Sequence, residues 1–247
     1  MGNYAHDRIV PDQASNLPKK EQVAQMFNEI AHKYDFLNRF LSIGIDIGWR
    51  KQALRLLKIK HPQSILDVAT GTADLAIMSA KLLSPKEIIG IDISSGMLEI
   101  GREKVAKLGL QNCIQLQLGD SEALQQEDNR FDAVTVSFGV RNFQHLEKGL
   151  SEILRVLKPE GQLMILEFSK PTMPVIKEFY NVYMNTITPG IGGMFSKSKK
   201  AYQYLNESVQ QFPEGKNLLQ VMEKIGFKKT FYKRLTFGIC TIYIGEK

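Results

Sequence analysis

Between Ser64 and Phe168 the chain switches repeatedly between two apolar patterns. Continuous apolar runs of strand length occur at Ser64-Ile65-Leu66-Asp67-Val68, Ile88 to Ile93, Cys113 to Leu118, Phe131 to Ser137 and Gln162 to Phe168. Apolar residues at three- and four-residue spacing separate them, over Met97 to Leu108 and over Leu146 to Leu157, the latter closed by Lys158-Pro159-Glu160-Gly161. Strands that are apolar on both faces and alternate with helices predict a parallel sheet covered on both sides. Right-handed crossovers make that sheet doubly wound, an α/β fold of the Rossmann-like kind. A further helix is predicted from Asn217 to Ile225, ended by Gly226. Two last strands follow, at Phe227 to Lys233 and Ile239 to Gly245.

Two regions depart from this rhythm. Residues 1–20 are polar and read as a loosely held arm. From Glu21 an amphipathic helix is predicted through Val23, Met26, Phe27, Ile30, Ala31, Tyr34, Leu37 and Leu41, with a break near Asp35 to Asn38. A second helix is expected from Trp49 to Leu57. Residues 1–60 are therefore expected to cap a domain spanning 61–247. Within that domain, residues 171–211 are rich in Phe, Tyr and Met, and Lys197, Lys199 and Lys200 form a basic knot. The stretch is too long for an ordinary loop and reads as a helical insertion that shapes a pocket.

Composition narrows the class only modestly. Hydrophobic content of 43% and charged content of 23% over 247 residues suit a soluble globular protein. No apolar run reaches the roughly 20 residues of a membrane span, and the polar start predicts no secretion. Cys113 and Cys240 are expected to be reduced, buried and inert. Four histidines without a Cys/His cluster predict no metal site. The net charge of +6 permits anionic partners, including phosphate, nucleic acid and an anionic membrane surface.

Candidate chemistry gathers at the ends of the strands. Asp67, Asp92 and Asp120 lie at or just beyond the ends of the first three, where a doubly wound sheet binds its ligands. For an adenosine ligand, Asp92 suits the ribose hydroxyls, Asp120 the exocyclic amine, and Asp67 the cationic end. An acid after the second strand also suits NAD, so the loop decides. Ala69-Thr70-Gly71-Thr72-Ala73 holds one glycine, whereas a pyrophosphate binder calls for G-x-G-x-x-G. There is no phosphate-binding lysine either. S-adenosyl-L-methionine, an adenosine carrying an amino-acid tail and no diphosphate, fits better.

The run around Asp67 and Gly71 resembles motif I of the class I S-adenosylmethionine-dependent methyltransferases, with Ala69 and Ala73 where many members carry glycine. A closer resemblance is to the UbiE/MenG/COQ5 family, which methylates a ring carbon in ubiquinone and menaquinone synthesis. It is carried by Tyr34-Asp35-Phe36-Leu37-Asn38-Arg39-Phe40-Leu41-Ser42 with Trp49 downstream, by Ser137-Phe138-Gly139-Val140-Arg141-Asn142, and by Arg155 to Leu163 continuing to Leu166-Glu167-Phe168-Ser169. Leu37 stands where the family usually has methionine, Asp46 where it has histidine, and Glu160 where it has glycine. The resemblance implies a seven-stranded, mostly parallel sheet with an antiparallel last strand. It implies cofactor contacts at Thr72, Asp92, Asp120, Ser121 and Ser137; Asp67 and Gly71 join them on general methyltransferase grounds.

The activity so implied is C-methylation of a prenylated hydroquinone, demethylmenaquinol in the first place, with the ubiquinone-pathway benzoquinol as the alternative. Arg141 is expected to stabilise the phenolate and Asn142 to orient the ring, with Tyr34 and Tyr202 as further ring contacts. The aromatic insertion would form the channel for the isoprenoid tail. The lysine knot would then meet lipid headgroups from the cytoplasmic side, giving peripheral membrane contact, and a homo-oligomer is allowed. Three rival readings fit the chain less well. A nicotinamide-dependent oxidoreductase lacks its glycines. A methyltransferase for nucleic acid or another small molecule has no Pro-Pro or Pro-Cys motif behind it. A non-catalytic partner in quinone synthesis has no need of Ser137 to Asn142.

Overall fold

The protein is described by a computed structural model covering residues 4–42, 44–171, 178 and 196–247; the side chains of residues 37, 40, 41, 196–200 and 202 fall outside that description. Five parallel strands form the centre: β1 (Ser64–Val68), β2 (Glu87–Asp92), β3 (Ile114–Leu118), β4 (Phe131–Ser137) and β5 (Leu157–Phe168). β6 (Lys228–Leu235) and β7 (Cys240–Glu246) complete a seven-stranded sheet of order β3-β2-β1-β4-β5-β7-β6, in which β7 is antiparallel to both neighbours. The order reverses at β1 and β4, so the loops after these strands splay apart and leave a crevice.

Helices cover both faces. They are α1 (Lys19–Ser42), α2 (Ile45–Lys58), α3 (Asp74–Leu83), α4 (Ser95–Lys107), α5 (Leu146–Val156), α6 (Ser196–Gln211) and α7 (Lys216–Ile225). One core cluster joins Leu66, Val134 and Ile165 to Leu150 and Ile153 of α5 and to Leu218 and Met222 of α7. The other joins Ile65, Ile88 and Met164 to Leu54 and Leu57 of α2 and to Leu75 and Ala76 of α3. Alternate residues of β1, β2, β4 and β5 thus point into different layers, which is why these strands read as unbroken apolar runs, whereas β3 and β6 are edges and largely exposed.

Four expectations change. α1 runs unbroken across Asp35 to Asn38. The segment from Tyr4 to Pro18 is docked rather than loose: a 3-10 turn at Ala5–Arg8 buries His6, Tyr4 Oη donates to Glu147 (2.8 Å), and Lys19 Nζ donates to the His6 carbonyl (2.8 Å). β5 starts directly after α5, so Lys158-Pro159-Glu160-Gly161, expected to close the helix ahead of a strand from Gln162, lies within the strand, with Glu160 at φ +63°. Cys113 is only half-buried, whereas Cys240 is fully buried; both are free thiols. Of the expected insertion, the described part is chiefly α6. The run from Phe179 to Phe195 lies outside the described residues. No described helix is long and apolar enough to cross a membrane, and the described residues hold no metal-binding cluster of acids, histidines and cysteines.

Candidate active site

The crevice is a cleft of about 670 Å³ at the carboxyl ends of β1 to β4. Gly71, Asp92, Asp120, Ser121, Ser137, Asn142 and Tyr34 all line it. Seven of the predicted site residues thus converge from four loops and from α1.

The loop after β1 reaches this position through an unusual backbone. Ala69, Gly71 and Ala73 have φ of +54°, +57° and +65°. Glycine adopts such values freely, whereas alanine is strained there by about 1 kcal/mol or more. The loop is fastened on both sides. Gly71 N–H donates to Asp92 Oδ2 (2.8 Å) and Thr70 N–H to the Ile91 carbonyl (2.9 Å). Beneath it, Asp67 accepts from the hydroxyls of Thr70 (2.6 Å) and Thr135 (2.5 Å).

Asp92 ends β2 and also accepts from Ser94 N–H (2.9 Å). Burial raises its pKa, while the backbone donors of Ser94, Gly71 and Ile93 pull it down. Its remaining lone pairs face the cleft, where ribose hydroxyls suit them. Asp120 follows β3. Burial pushes its pKa up, but the Lys20 ammonium (2.7 Å) and the Glu122 backbone N–H (2.9 Å) outweigh that and hold it below the usual range. An adenine amine at Asp120 would therefore share that carboxylate with Lys20. Ser137 ends β4, and its hydroxyl is buried without a partner among the described residues. An orphaned buried hydroxyl on a cleft wall fits a ligand that supplies the missing bond. Val23, Phe27, Met97 and Phe143 add apolar walls suited to a purine. The set fits S-adenosylmethionine.

Other predicted residues sit differently. Asp67 is buried beneath the loop and does not line the cleft; burial carries its pKa up to about 6 against the two threonine hydroxyls. Thr72 also lies off the lining. Its hydroxyl donates to Asp35 (2.6 Å) and accepts from Lys104 (3.1 Å), and Lys104 in turn bonds Asp35 (2.9 Å) and Asp74. Arg141 is only 6% exposed, with its guanidinium directed at Glu167 (2.7 Å) and the Phe138 carbonyl (2.6 Å). Asn142 lines the cleft and accepts a hydrogen bond from Tyr204 (3.1 Å). Tyr34 is half-buried beside Phe27, their rings 5.8 Å apart and edge-on, and burial raises its pKa. The side chain of Tyr202 lies outside the described residues.

The sequence pointed to Tyr34 on α1 but not to two polar residues of the same helix. Lys20 reaches Asp120, and Asn28 Oδ1 accepts from Ser94 Oγ (2.7 Å) and Gly96 N–H (2.9 Å). The available signal was the apolar period that starts at Val23, which a longer helix would carry back to Lys20. Tyr204 was missed because nothing in its local pattern sets it apart from neighbouring aromatics.

The strand order, the reversed last strand and the acid-rimmed cleft at the switch point define a class I methyltransferase fold. A Thermotoga maritima S-adenosylmethionine-dependent methyltransferase, described as a possible histamine N-methyltransferase, has the same fold, with a TM-score of 0.62 at 19% identity over 90% of this chain and 99% of that one. A Haemonchus contortus phosphoethanolamine N-methyltransferase solved with S-adenosylhomocysteine gives 0.64 at 16% identity, over 94% of this chain and 61% of that one. A model of the ubiE/COQ5 methyltransferase family matches residues 16–247. The demethylmenaquinone methyltransferase of Bacteroides fragilis is 46% identical over 245 residues, which is 99% of this chain and all of that protein. The ubiquinone/menaquinone biosynthesis C-methyltransferase UbiE of Geobacter sulfurreducens is 44% identical over 230 residues, 93% of this chain and 90% of that one. The chain belongs to the ubiE/COQ5 methyltransferase family.

Proposed function

We propose that this protein methylates a ring carbon of a prenylated quinol, demethylmenaquinol, with S-adenosylmethionine as methyl donor. The observation that carries the reading is the end-to-end similarity to the Bacteroides fragilis demethylmenaquinone methyltransferase. The cleft supports it, because the acids and the orphaned Ser137 hydroxyl provide for an adenosine ligand beside Asn142. Bound S-adenosylmethionine supplies an electrophilic sulfonium methyl. An aromatic carbon ortho to an ionised hydroxyl would take that methyl as the carbon–sulfur bond breaks and S-adenosylhomocysteine leaves, and the ring would then lose a proton to regain aromaticity. The chain's part is to bring the two reactants together and to stabilise the phenolate. Asn142 orients the ring from the cleft wall. Arg141 does not line the cleft; paired with Glu167, it acts by holding the segment that carries Asn142. Tyr34, which lines the cleft, is the further contact to the ring. Peripheral membrane contact through Lys197, Lys199 and Lys200 belongs to the same proposal, because each cation adds about 1 kcal/mol near an anionic surface.

Purified protein with labelled S-adenosylmethionine tests the reading against demethylmenaquinol and its benzoquinol counterpart in parallel. Methyl transfer to demethylmenaquinol is expected. Transfer to neither quinol, with S-adenosylhomocysteine binding intact, would overturn it. Transfer to the benzoquinol alone would move the substrate to the ubiquinone pathway, which the name of the Geobacter relative also covers. Flotation with anionic vesicles, repeated after charge reversal at the three lysines, tests the membrane contact.

A further inference from the structure

Asn142 has one amide, and its two ends do opposite chemistry: Oδ1 only accepts and Nδ2 only donates. A side chain that orients a substrate oxygen must present a fixed end. The amide rotates by half a turn at little cost unless something distinguishes its ends, and the chain provides such a contact.

Tyr204 lies on α6, 62 residues further along, and is 3% exposed. Its hydroxyl is 3.1 Å from Asn142 Oδ1. Among the described residues Asn142 Oδ1 is the acceptor that this phenol reaches. A buried phenolic proton needs an acceptor, and leaving it without one costs more than the bond itself gains. Burial holds the phenol protonated, Glu167 works in the same direction, and Arg141 opposes them. The phenol is thus a donor throughout the working pH range. Oδ1 is drawn to Tyr204, and Nδ2 is left for the cleft that Asn142 lines.

The backbone around Asn142 is held independently. Arg141 anchors to Glu167 and to the Phe138 carbonyl, Asn142 N–H donates to the Gly139 carbonyl (3.0 Å), and Gln144 accepts from Lys20 N–H (3.3 Å). Removing the Tyr204 hydroxyl therefore releases the amide without releasing the loop.

We infer that Tyr204 is a positioning residue: its hydroxyl fixes the amide of Asn142 so that the NH₂ group faces the cleft as a donor to a substrate ring oxygen. The donor's target rests on the quinol reading above; the orientation of the amide does not.

Four proteins test this: wild type, Tyr204→Phe, Asn142→Ala and the double variant. Turnover of demethylmenaquinol, S-adenosylhomocysteine affinity and melting temperature are read for each. Tyr204→Phe is expected to lower kcat about tenfold, the worth of one positioned hydrogen bond, with cofactor affinity and melting temperature unchanged. In the Asn142→Ala background it is expected to do nothing further. Equal losses in both backgrounds, or full kcat in Tyr204→Phe, would overturn the inference. The side-chain amide NMR signals of Asn142, assigned by their loss in Asn142→Ala, give a readout that needs no substrate. They are expected to shift and broaden in Tyr204→Phe. Unchanged signals would overturn the inference even if the quinol reading holds, whereas shifted signals without turnover of any quinol in wild type would overturn only that reading.

Discussion

Glu167 and Arg141 form a pair whose removal can be worked out from its surroundings. Glu167 is 1% exposed and Arg141 6%. The carboxylate accepts from the guanidinium (2.7 Å) and from Phe168 N–H (2.9 Å), and the guanidinium stands over the Phe168 ring at 5.6 Å. In Glu167→Ala the guanidinium stays buried with the Phe138 carbonyl as its remaining hydrogen-bond acceptor among those described. Breaking a buried pair from one side costs about 3–5 kcal/mol, because an uncompensated charge stays in a poorly solvated place. For a chain of this size each kcal/mol lowers the melting temperature by roughly 2–4 °C, so a drop of roughly 6–20 °C is expected. Thermal unfolding followed by circular dichroism measures it. Glu167→Gln, which keeps shape and an acceptor, should lose less. Arg141→Met combined with Glu167→Leu should regain most of the loss, since replacing both charges with apolar groups removes the desolvation penalty. A melting temperature for Glu167→Ala within about 2 °C of wild type, under about 1 kcal/mol, would refute the reasoning. The double variant also isolates the reaction. If it is folded, binds S-adenosylhomocysteine and does not turn over, the Arg141–Glu167 pair serves the reaction and not only the fold.

Three further outcomes are expected. Ser137→Ala removes a buried hydroxyl that has no partner among the described residues, so stability should hold or rise slightly while S-adenosylhomocysteine binds roughly fivefold to tenfold more weakly by calorimetry, the worth of about one hydrogen bond; unchanged affinity would show that the hydroxyl is not a cofactor contact. Gly139→Ala would set a Cβ 2.5 Å from that of Ala69 and should destabilise by about 1–3 kcal/mol, whereas Ala69→Gly in the same chain should restore stability, since it clears the clash and relieves the positive φ; urea midpoints of the three variants decide it. Asp67 has its pKa raised to about 6 by burial, above the value of about 3.9 expected in the unfolded chain. The folded state then holds this proton more tightly, so its contribution is full below about pH 4 and is lost as pH rises through about 6, a change of about 3 kcal/mol. Urea midpoints from pH 4.5 to 7.5 should therefore fall less in Asp67→Asn than in wild type, and parallel profiles would rule the linkage out.

The sheet was legible because burial on both faces leaves an unmistakable apolar run. Ile88 to Asp92 and Val134 to Ser137 had no alternative that would keep so many apolar groups from water. The acids at the strand ends were legible for the same reason, since a charge next to such a run marks where the strand leaves the core. Side-chain direction within the loops was not. Asp67 and Thr72 belong to the cofactor loop, but the hydroxyls of Thr70 and Thr135 claim one, and Asp35 with Lys104 claims the other. These are contacts between positions up to 68 residues apart, and no local period encodes them. The left-handed backbone at Ala69 and Ala73 was hidden as well, because alanine is not a residue that announces positive φ.

What completes the cleft comes from outside the alternating pattern. Lys20, Asn28 and Asp35 are spaced by eight and seven residues, so they recur on one face of α1. They bind, in turn, Asp120 after β3, Ser94 and Gly96 after β2, and Thr72 after β1. Their sequence along the helix repeats the order β3-β2-β1 across the sheet. One helix is therefore fastened to the segments that follow β1, β2 and β3, and it lines the cleft with Val23, Phe27 and Tyr34. On the other side, the segment after β4 is held by Glu167 through Arg141 and by α6 through Tyr204. A doubly wound sheet alone provides a row of acids at a switch point. The polar face of α1 and the Tyr204 hydroxyl add further walls and contacts to that row, from elements that the strand pattern does not predict.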